Sequence, residues 1–323
     1  MNEPVFSSLL ADRFRDFITF RRSGGSDYRS PAKVLSYFDR FLCHQGFSGS
    51  YPSREILDHY LTSLNHLNAN TRISRLSTVR QFCMYLRQFE PKCYVPEVKT
   101  RKGRKLSRIP HIFTDDEIKA LLLAARDLSP PGSLRPMTFY TLFGLLYTTG
   151  LRVGEAIAMD LADVDLDRQR LYVHSSKFRK SRWVPVAPST CSVMQSYIQE
   201  RVRIFPAGAQ DPVFVNLQGR RFFHQIVYTA YRQALNRCGL RGGKGDPGPR
   251  IHDLRHSYAC NRLAAAYRQG QDVNALLPAL ATYLGHTCIS HTQLYLRATA
   301  DLLEMANQRF HKNFLHNVLK KGE

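Results

Sequence analysis

The stretch Ile251–Thr299 reads IHDLRHSYACNRLAAAYRQGQDVNALLPALATYLGHTCISHTQLYLRAT, and the rest of the chain is interpreted around it. It contains His252-Asp-Leu-Arg255, then Leu284-Gly285-His286, and Tyr295 nine residues later. Arginine offers a planar fork of donors that fits a phosphate group with two hydrogen bonds. Histidine can exchange a proton near neutral pH, and a tyrosine hydroxyl can be a covalent nucleophile. The set therefore predicts a site for a phosphate-bearing substrate.

Two upstream motifs extend this set. Thr149-Gly-Leu-Arg152-Val-Gly-Glu155 places an arginine on a turn flanked by glycines, and His174-Ser-Ser-Lys177 places a lysine between two short apolar runs. Each motif alone is a weak signal. Their order (Arg, Lys, His-x-x-Arg, Leu-Gly-His, Tyr) resembles that of the tyrosine recombinase/integrase family of DNA strand-exchange enzymes. The motif resemblance covers roughly residues 111–310, and the N-terminal part is similar by its helix pattern alone.

The resemblance implies an enzyme that cuts and rejoins DNA without a cofactor, a metal or ATP. The implied catalytic residues are Arg152, Lys177, His252, Arg255, His286 and the nucleophile Tyr295, with Glu155 in support. The two arginines would hold the non-bridging oxygens of the scissile phosphate, and the histidine of Leu-Gly-His would add a hydrogen bond. The acidic residue would orient the first arginine or a histidine.

The resemblance also implies how protons move. Tyr295 would attack the phosphorus and form a 3′-phosphotyrosyl bond, while Lys177 would protonate the leaving 5′ oxygen. With a phenol pKa of about 10, only on the order of 0.1% of a tyrosine is ionised at pH 7. A nearby base or the cationic pocket must therefore help, and His252 is the candidate base. Lys180 and Arg182 are weaker rivals to Lys177 on the same hairpin.

A metal site is a competing interpretation of two of these residues. His252 and His256 are four residues apart, as zinc ligands on a helix can be. A zinc site needs a third ligand, however, and the sequence H-E-x-x-H is absent. We therefore expect phosphate binding rather than metal binding here, with His256 in the core or behind the site.

The composition limits the class of protein. The chain has 323 residues, 43% of them hydrophobic, and a formal net charge of +20, which together indicate two domains and a nucleic-acid partner. Seven scattered cysteines without a C-x-x-C pair indicate reduced thiols rather than a disulfide framework. The sequence shows neither a signal peptide nor a run of about 20 apolar residues. We therefore expect a soluble, cytoplasmic, nucleoid-associated protein without a membrane partner.

Residues 1–97 are predicted to form an N-terminal helical domain. Four amphipathic segments resemble the four-helix core-binding domain of the family, and the fourth spans about residues 70–89. Residues 98–110 form a basic linker, because Lys99–Arg108 carries six basic residues in ten. This linker could be a simple tether or could follow the phosphate backbone. The residues predicted to contact DNA are Arg72, Arg75, Arg80, Lys99, Arg101, Lys102, Arg104, Lys105, Arg179 and Lys180.

Residues 111–323 are predicted to form the catalytic domain. Thr114-Asp-Asp-Glu117 is a capping box that begins its first helix. Leu171–Val173 and Arg182–Val184 alternate as a β-hairpin does, so the fold class is mainly α with a small β-hairpin or sheet (α+β). The interval between His256 and Leu284 is longer than is common in the family. The amphipathic residues 301–321 predict a final helix, which could complete its own domain or dock into a neighbouring subunit.

The leading functional hypothesis is a site-specific recombinase or integrase that acts on double-stranded DNA, in integration, recombination or transposition of a mobile element. It would work as a homo-multimer, a tetramer on paired sites, or together with related recombinases. A type IB topoisomerase is the first alternative, and relaxation of supercoils without sequence preference would distinguish it. A DNA-binding regulator without catalysis is the second, and the complete residue set argues against it.

Overall fold

The structure, a computed structural model, describes residues 4–25, 27–97, 110–176, 180–241 and 248–285, with the backbone alone at 175, 176 and 180. The chain divides into two compact units, Met1–Ser107 and Arg108–Glu323. Helices dominate both, and the described ranges contain one sheet, with three antiparallel strands. The expected class, mainly α with a small sheet, is confirmed. Within these ranges, no helix is long and apolar enough to cross a membrane.

The described part of the first unit contains four helices, as its sequence pattern predicts. They are α1 (Ala11–Ser23), α2 (Arg29–His44), α3 (Arg54–Ser63) and α4 (Ala69–Leu86). The side chains of Ser53 and Asn68 accept hydrogen bonds from Ile56 N and Thr71 N, and so cap α3 and α4. The helices bury an aromatic core that includes Phe14, Phe17, Phe38, Tyr60 and Phe82.

The start of α1 differs from the sequence expectation. In residues 1–22 the sequence predicts a helix with one apolar stripe, formed by Phe6, Leu9, Leu10, Phe14, Phe17 and Ile18. In the structure α1 begins only at Ala11, and Leu9 is 69% exposed. The buried carboxylate of Asp39 gives the reason, because it accepts hydrogen bonds from Ser7 N (2.8 Å), Ser8 N (3.1 Å) and Ser8 Oγ (2.6 Å). These bonds hold the segment before α1 in a non-helical conformation.

The second unit contains seven described α-helices and a short 3₁₀ turn, Leu161–Asp163. The helices are α5 (Asp115–Arg126), α6 (Leu134–Thr149), α7 (Val153–Ala158), α8 (Pro188–Ile204), α9 (His224–Arg237), α10 (Asp253–Arg268) and α11 (Val273–Leu284). The predicted capping box is present at the start of α5. Glu117 N donates to Thr114 Oγ1 (3.2 Å), and Thr114 N donates to Glu117 Oε2 (2.9 Å).

The sheet has the strand order β1 (Val164–Asp165), β2 (Arg170–Ser176) and β3 (Lys180–Pro185). The predicted hairpin is confirmed, since Leu171 pairs with Val184 and Val173 pairs with Arg182. β1 is not predicted, because two residues are too few to show an alternating pattern. One face of the hairpin is buried in the core of the unit, which leaves Arg182 as a charged side chain on a largely apolar face.

The extra length before Leu284 forms regular structure. α10 ends at Arg268, Gly270 turns the chain with a φ of +74°, and the side chain of Asp272 caps α11 by accepting from Asn274 N (2.9 Å). α10 packs against both α6 and α11. As a result, the C-terminal ends of α6 and α11 both lie beside the first turn of α10, where His252 and Arg255 are found.

Candidate active site

Arg152 and Glu155 form the first part of the site at the start of α7. Arg152 is the residue before the helix, and Glu155 reaches back from its first turn. The Glu155 carboxylate accepts from Arg152 N at Oε2 (2.9 Å) and from Arg152 Nη1 at Oε1 (2.8 Å). A carboxylate at a helix N-terminus is favoured by the helix dipole. The side chain of Arg152 is 28% exposed, whereas that of Glu155 is 7% exposed. Glu155 therefore holds the side chain of Arg152 in place in this structure.

Arg182 of β3 binds the same carboxylate. Its Nη1 donates to Glu155 Oε1 (3.2 Å) and its Nη2 to Glu155 Oε2 (3.0 Å). Burial alone would raise the pKa of the Glu155 carboxyl, but the hydrogen bonds and charge of Arg182, followed by those of Arg152, hold this pKa below its usual value. Glu155 is therefore ionised and lies between two cations.

Three arginines donate to three consecutive carbonyl oxygens at the C-terminal end of α11. We call these carbonyls, of Tyr283, Leu284 and Gly285, the carbonyl end of α11. Arg182 Nε donates to Tyr283 O (2.7 Å), Arg255 Nη2 to Leu284 O (2.5 Å) and Arg152 Nη2 to Gly285 O (3.1 Å). The last carbonyls of a helix lack partners within the helix and carry partial negative charge. Guanidinium groups from three distant parts of the chain thus converge immediately before position 286.

Arg255 is buried in this structure, with only 1% of the residue exposed. Besides Leu284 O, it binds Gly150 O through Nη1 (2.6 Å). It therefore joins the end of α6 to the end of α11.

Two glycines allow this close packing. Gly150 and Gly285 end α6 and α11 with φ values of +63° and +65°, a conformation that glycine adopts without steric cost. A Cβ atom at Gly285 would lie 3.0 Å from Arg182 Nη1, and one at Gly150 would lie 2.6 Å from Tyr258 Cδ1. The glycines of the two motifs are therefore required both by backbone conformation and by the neighbouring side chains.

His252 lies at the N-terminus of α10 and lines a cavity of about 410 Å³. The other lining residues include Arg152, Glu155, His174, His224 and Tyr228. Although part of the ring is open to the cavity, desolvation by the surrounding protein, followed by the charges of His256 and Arg255, lowers the pKa of His252 to about 4. His252 is therefore neutral at pH 7 and able to accept a proton.

His256 lies behind His252, with the two rings edge to face and their centroids 4.8 Å apart. Burial lowers the pKa of His256 to about 4, and the charges of Arg250 and Arg255 act in the same direction, against that of Asp253. Among the residues that the structure describes, no three His, Cys, Asp or Glu side chains are grouped closely enough to hold a metal ion.

The structure brings together part of the predicted set. Arg152, Glu155, His252 and Arg255 lie around the cavity and the carbonyl end of α11. Lys177, His286 and Tyr295 lie outside the described residues, as do Arg179 and the linker residues Lys99, Arg101, Lys102, Arg104 and Lys105. Lys180 begins β3, and its side chain is likewise not described.

Two histidines and a tyrosine at the cavity were not expected there. His174 Nε2 is 2.5 Å from Asp163 Oδ1, and His224 packs so closely on Gly154 that a Cβ atom at that glycine would lie 3.2 Å from its ring. Tyr228 follows His224 by one helical turn. His174 belongs to the lysine motif and could have been considered. The sequence around His224 and Tyr228 carries no comparable signal.

The three arginines predicted to contact DNA from α4 are half-buried. Arg72 Nη1 donates to Asn65 Oδ1 (2.8 Å), and the guanidinium carbon of Arg75 lies 4.6 Å from the centre of the Tyr37 ring. Arg80 Nη1 donates to Pro96 O (2.8 Å). Arg80 therefore has a structural contact, and Arg75 is held at the surface by a cation–π interaction.

Fold and site together describe a mainly helical protein in which three arginines converge beside a cavity. Comparison with known proteins identifies the family. Residues 111–301 match the phage integrase family. A protein of Sinorhizobium fredii with the provisional name integrase/recombinase y4rB is 34% identical over 95% of this chain and 98% of its own length. Tyrosine recombinase XerC of Halalkalibacterium halodurans is 29% identical, over 86% of this chain and 88% of its own.

Solved structures share the fold. The Tn1549 transposon integrase in complex with transposon right end DNA superposes with a TM-score of 0.67, covering 93% of this chain and 98% of that one at 16% identity. The XerH site-specific recombinase bound to difH gives 0.63, covering 87% and 78% at 20% identity. The chain belongs to the phage integrase family. It is a tyrosine recombinase, an enzyme of DNA cleavage and rejoining in site-specific recombination.

Proposed function

We propose that this recombinase cuts DNA by attack of Tyr295 on a phosphodiester held by Arg152 and Arg255. The observation that carries the proposal is the convergence of these arginines, 103 residues apart in sequence, on the carbonyl end of α11. The carbonyl oxygens of this helix end carry partial negative charge and accept hydrogen bonds from both arginines. A scissile phosphate would compete for the same donors, and His286, which follows in sequence, would add a hydrogen bond.

In the proposed step, side chains of this protein both accept the proton of the nucleophile and supply the proton of the leaving group. The Tyr295 oxygen bonds to phosphorus as its proton passes to His252, and the bond from phosphorus to the 5′ oxygen breaks as Lys177 protonates that oxygen. The second negative charge that builds on phosphorus is stabilised more strongly than the single charge of the ground state, which is what catalysis requires. A 5′-hydroxyl from another strand then attacks the phosphotyrosine and restores the phosphodiester.

His252 suits the role of base in one respect and constrains it in another. A low pKa leaves the imidazole neutral and ready to accept a proton. The same low pKa makes it a weak base until anionic DNA arrives. The negative charge of a bound phosphate raises the pKa of a neighbouring histidine. Substrate binding would therefore activate the base.

Residues 1–97, which lie within the unit Met1–Ser107, are proposed as the core-binding domain. Residues 98–110 are proposed as the basic linker to the catalytic domain, residues 111–323. The partner is double-stranded DNA, and the active form is a homo-multimer, a tetramer on paired sites, or an assembly with related recombinases. The cellular context is the integration or transposition of a mobile element, in the cytoplasm. The similarity to integrases and to XerC supports these assignments.

The test uses nicked suicide duplexes made from the flanks of the protein's own gene. Wild-type protein should form a DNA-linked band on a denaturing gel. Tyr295→Phe should bind the same duplex and form no such band. An undiminished band with Tyr295→Phe would refute the assignment of the nucleophile.

A further inference from the structure

We propose that Arg182 is a positioning residue for strand cleavage, which fixes Arg152 through Glu155 and fixes the carbonyl end of α11 through Tyr283 O. The inference rests on the proposed function, because it takes Arg152 to bind the scissile phosphate. The sequence pattern suggested a different role for Arg182, as a rival to Lys177 for the delivery of a proton.

The hydrogen bonds of Arg182 oppose a role in proton delivery. All three nitrogens of its guanidinium donate to protein oxygens, Nη1 and Nη2 to Glu155 and Nε to Tyr283. The side chain is 12% exposed and spans from β3 to both α7 and α11. Arginine also keeps its proton throughout the pH range in which proteins fold. Arg182 is therefore built to hold its neighbours in place.

The charge balance explains why a second arginine on Glu155 matters. Arg152 and Glu155 alone form a neutral pair, and a neutral pair attracts a phosphate weakly. With Arg182 the formal charges of the three groups are +1, −1 and +1, which leaves a net charge of +1. Each oxygen of Glu155 accepts one hydrogen bond from each arginine, so the carboxylate is held in one orientation. Arg182 thus gives the three groups a net positive charge and helps to fix Arg152 in position.

Arg182 also connects the β-hairpin to the segment that continues into the catalytic motif. Its Nε binds the Tyr283 carbonyl (2.7 Å), three residues before His286. The glycine at 285 leaves space for the guanidinium, since a Cβ atom there would lie 3.0 Å from Arg182 Nη1. Lys177 precedes Arg182 by five residues in sequence, between the last residue of β2 and the first residue of β3. One side chain therefore relates the hairpin, the first arginine and the end of α11.

The first test needs no DNA. The full-length protein carries ¹³C-labelled glutamate, and the Glu155 carboxyl signal is assigned with Glu155→Gln. In Arg182→Gln, the pH midpoint of the Glu155 signal should rise above that of the wild type, because one cationic partner is lost. Arg221→Gln is the matched control. Arg221 binds Ile157 O, Met159 O and Asp160 at the other end of α7, so its loss should leave the Glu155 midpoint unchanged.

The second test separates positioning from general stability. Covalent attachment is measured on a suicide duplex with a phosphate at the cleaved position, and on duplexes with each stereopure methylphosphonate there. Arg182→Gln should slow attachment about 100-fold on the phosphate, the size of the loss of one transition-state donor. Arg152→Ala is measured on the same duplexes and should be rescued by one of the two methylphosphonate isomers, which lacks the charge that Arg152 stabilises. On that isomer, the rate of attachment by Arg182→Gln should come within about tenfold of the wild-type rate. Arg182→Lys, which keeps the charge without the fork, should fall between.

The two tests distinguish failure of the role proposed for Arg182 from failure of the proposed function. A Glu155 midpoint that Arg182→Gln does not move, or an equal loss on phosphate and methylphosphonate, as expected for Arg221→Gln, would overturn the role of Arg182. Absence of any adduct with wild-type protein would instead refute the proposed function, and the Glu155 titration would still decide whether Arg182 acts on Glu155.

Discussion

The Nη2 atom of Arg255 lies 2.5 Å from the carbonyl oxygen of Leu284, and Arg255 is only 1% exposed. This bond joins Arg255 to the backbone of the motif Leu-Gly-His, so each motif helps to fix the position of the other. A helix end is a weak anion, and a phosphodiester is a full one. Arg255 therefore binds, within the protein, groups with the same sign of charge as the phosphate that it is proposed to hold.

Arg255→Lys should destabilise the protein by on the order of 2 kcal/mol. Lysine keeps the charge but cannot bridge Gly150 O and Leu284 O, and a buried charged donor without its partners is costly. Urea unfolding measures this effect. Arg201→Lys is the matched control, because Arg201 is 2% exposed and also binds carbonyl oxygens, those of Pro212 and Phe205. Both variants should lose stability, but only Arg255→Lys should also lose covalent attachment at temperatures where both are folded.

Gly285→Ala should impair catalysis beyond its effect on stability. A positive φ costs an alanine about 1 kcal/mol, and the new Cβ atom would also push Arg182 away from Glu155. Gly270→Ala is the control, since its φ is +74° and nothing lies within 4 Å of a Cβ atom there. The two variants should show similar losses in urea unfolding. If Gly270→Ala reduced attachment to DNA as much as Gly285→Ala, steric contact with the arginines would not be the cause.

Acidification should destabilise the protein between pH 6.5 and pH 5, above the range where most carboxylates titrate. The pKa values of His252 and His256 are about 4 in the folded protein and near 6.5 when unfolded, so the unfolded chain binds protons first. Their stabilising contribution is complete above pH 6.5 and declines as the pH falls towards 4. His256 alone should contribute about 1 kcal/mol to the loss by pH 5.5.

Urea unfolding at pH 7.5 and pH 5.5 measures this dependence. His256→Gln should reduce the difference between the two pH values. Stability that is constant over this interval in the wild type would show that the histidines are not held neutral by the fold.

DNA binding should weaken steeply with salt, because the net charge of +20 implies many phosphate contacts. Arg75→Gln should reduce the slope of log K against log salt by about 1, since this arginine is held at the surface by Tyr37. Arg80→Gln is the comparison, because Arg80 binds Pro96 O. It should change the slope less and the unfolding midpoint more. An affinity that does not depend on salt would contradict the electrostatic account.

Local rules account for what could be predicted from the sequence. The capping box at Thr114, the hairpin register at Leu171 and the turn at Gly150 are determined by residues close together in the chain. The order of the motifs identified Arg152 and Arg255 as candidate catalytic residues. The segment before α1 could not be predicted as non-helical, because the side chain that holds it, Asp39, is about 30 residues away.

The same limit applies at the site. Arg182, His174 and His224 reach it from strands and helices whose packing is decided by the whole unit. The burial of Arg255 is also a property of the fold, since the two carbonyls that bind it belong to helices 105 and 29 residues away in sequence. A motif identifies a candidate functional side chain, but it does not predict which protein groups accept hydrogen bonds from that side chain.

The most direct test of the central claim is the identity of the residue that becomes attached to DNA. Wild-type protein is incubated with nicked suicide duplexes from its own gene flanks, and the DNA-linked peptide is identified by mass spectrometry. The account predicts a single phosphotyrosyl link, between Tyr295 and the phosphate at the 3′ end of the cut strand. A link at another tyrosine, such as Tyr258 or Tyr283 beside the site, or a link through a 5′ phosphate, would contradict it.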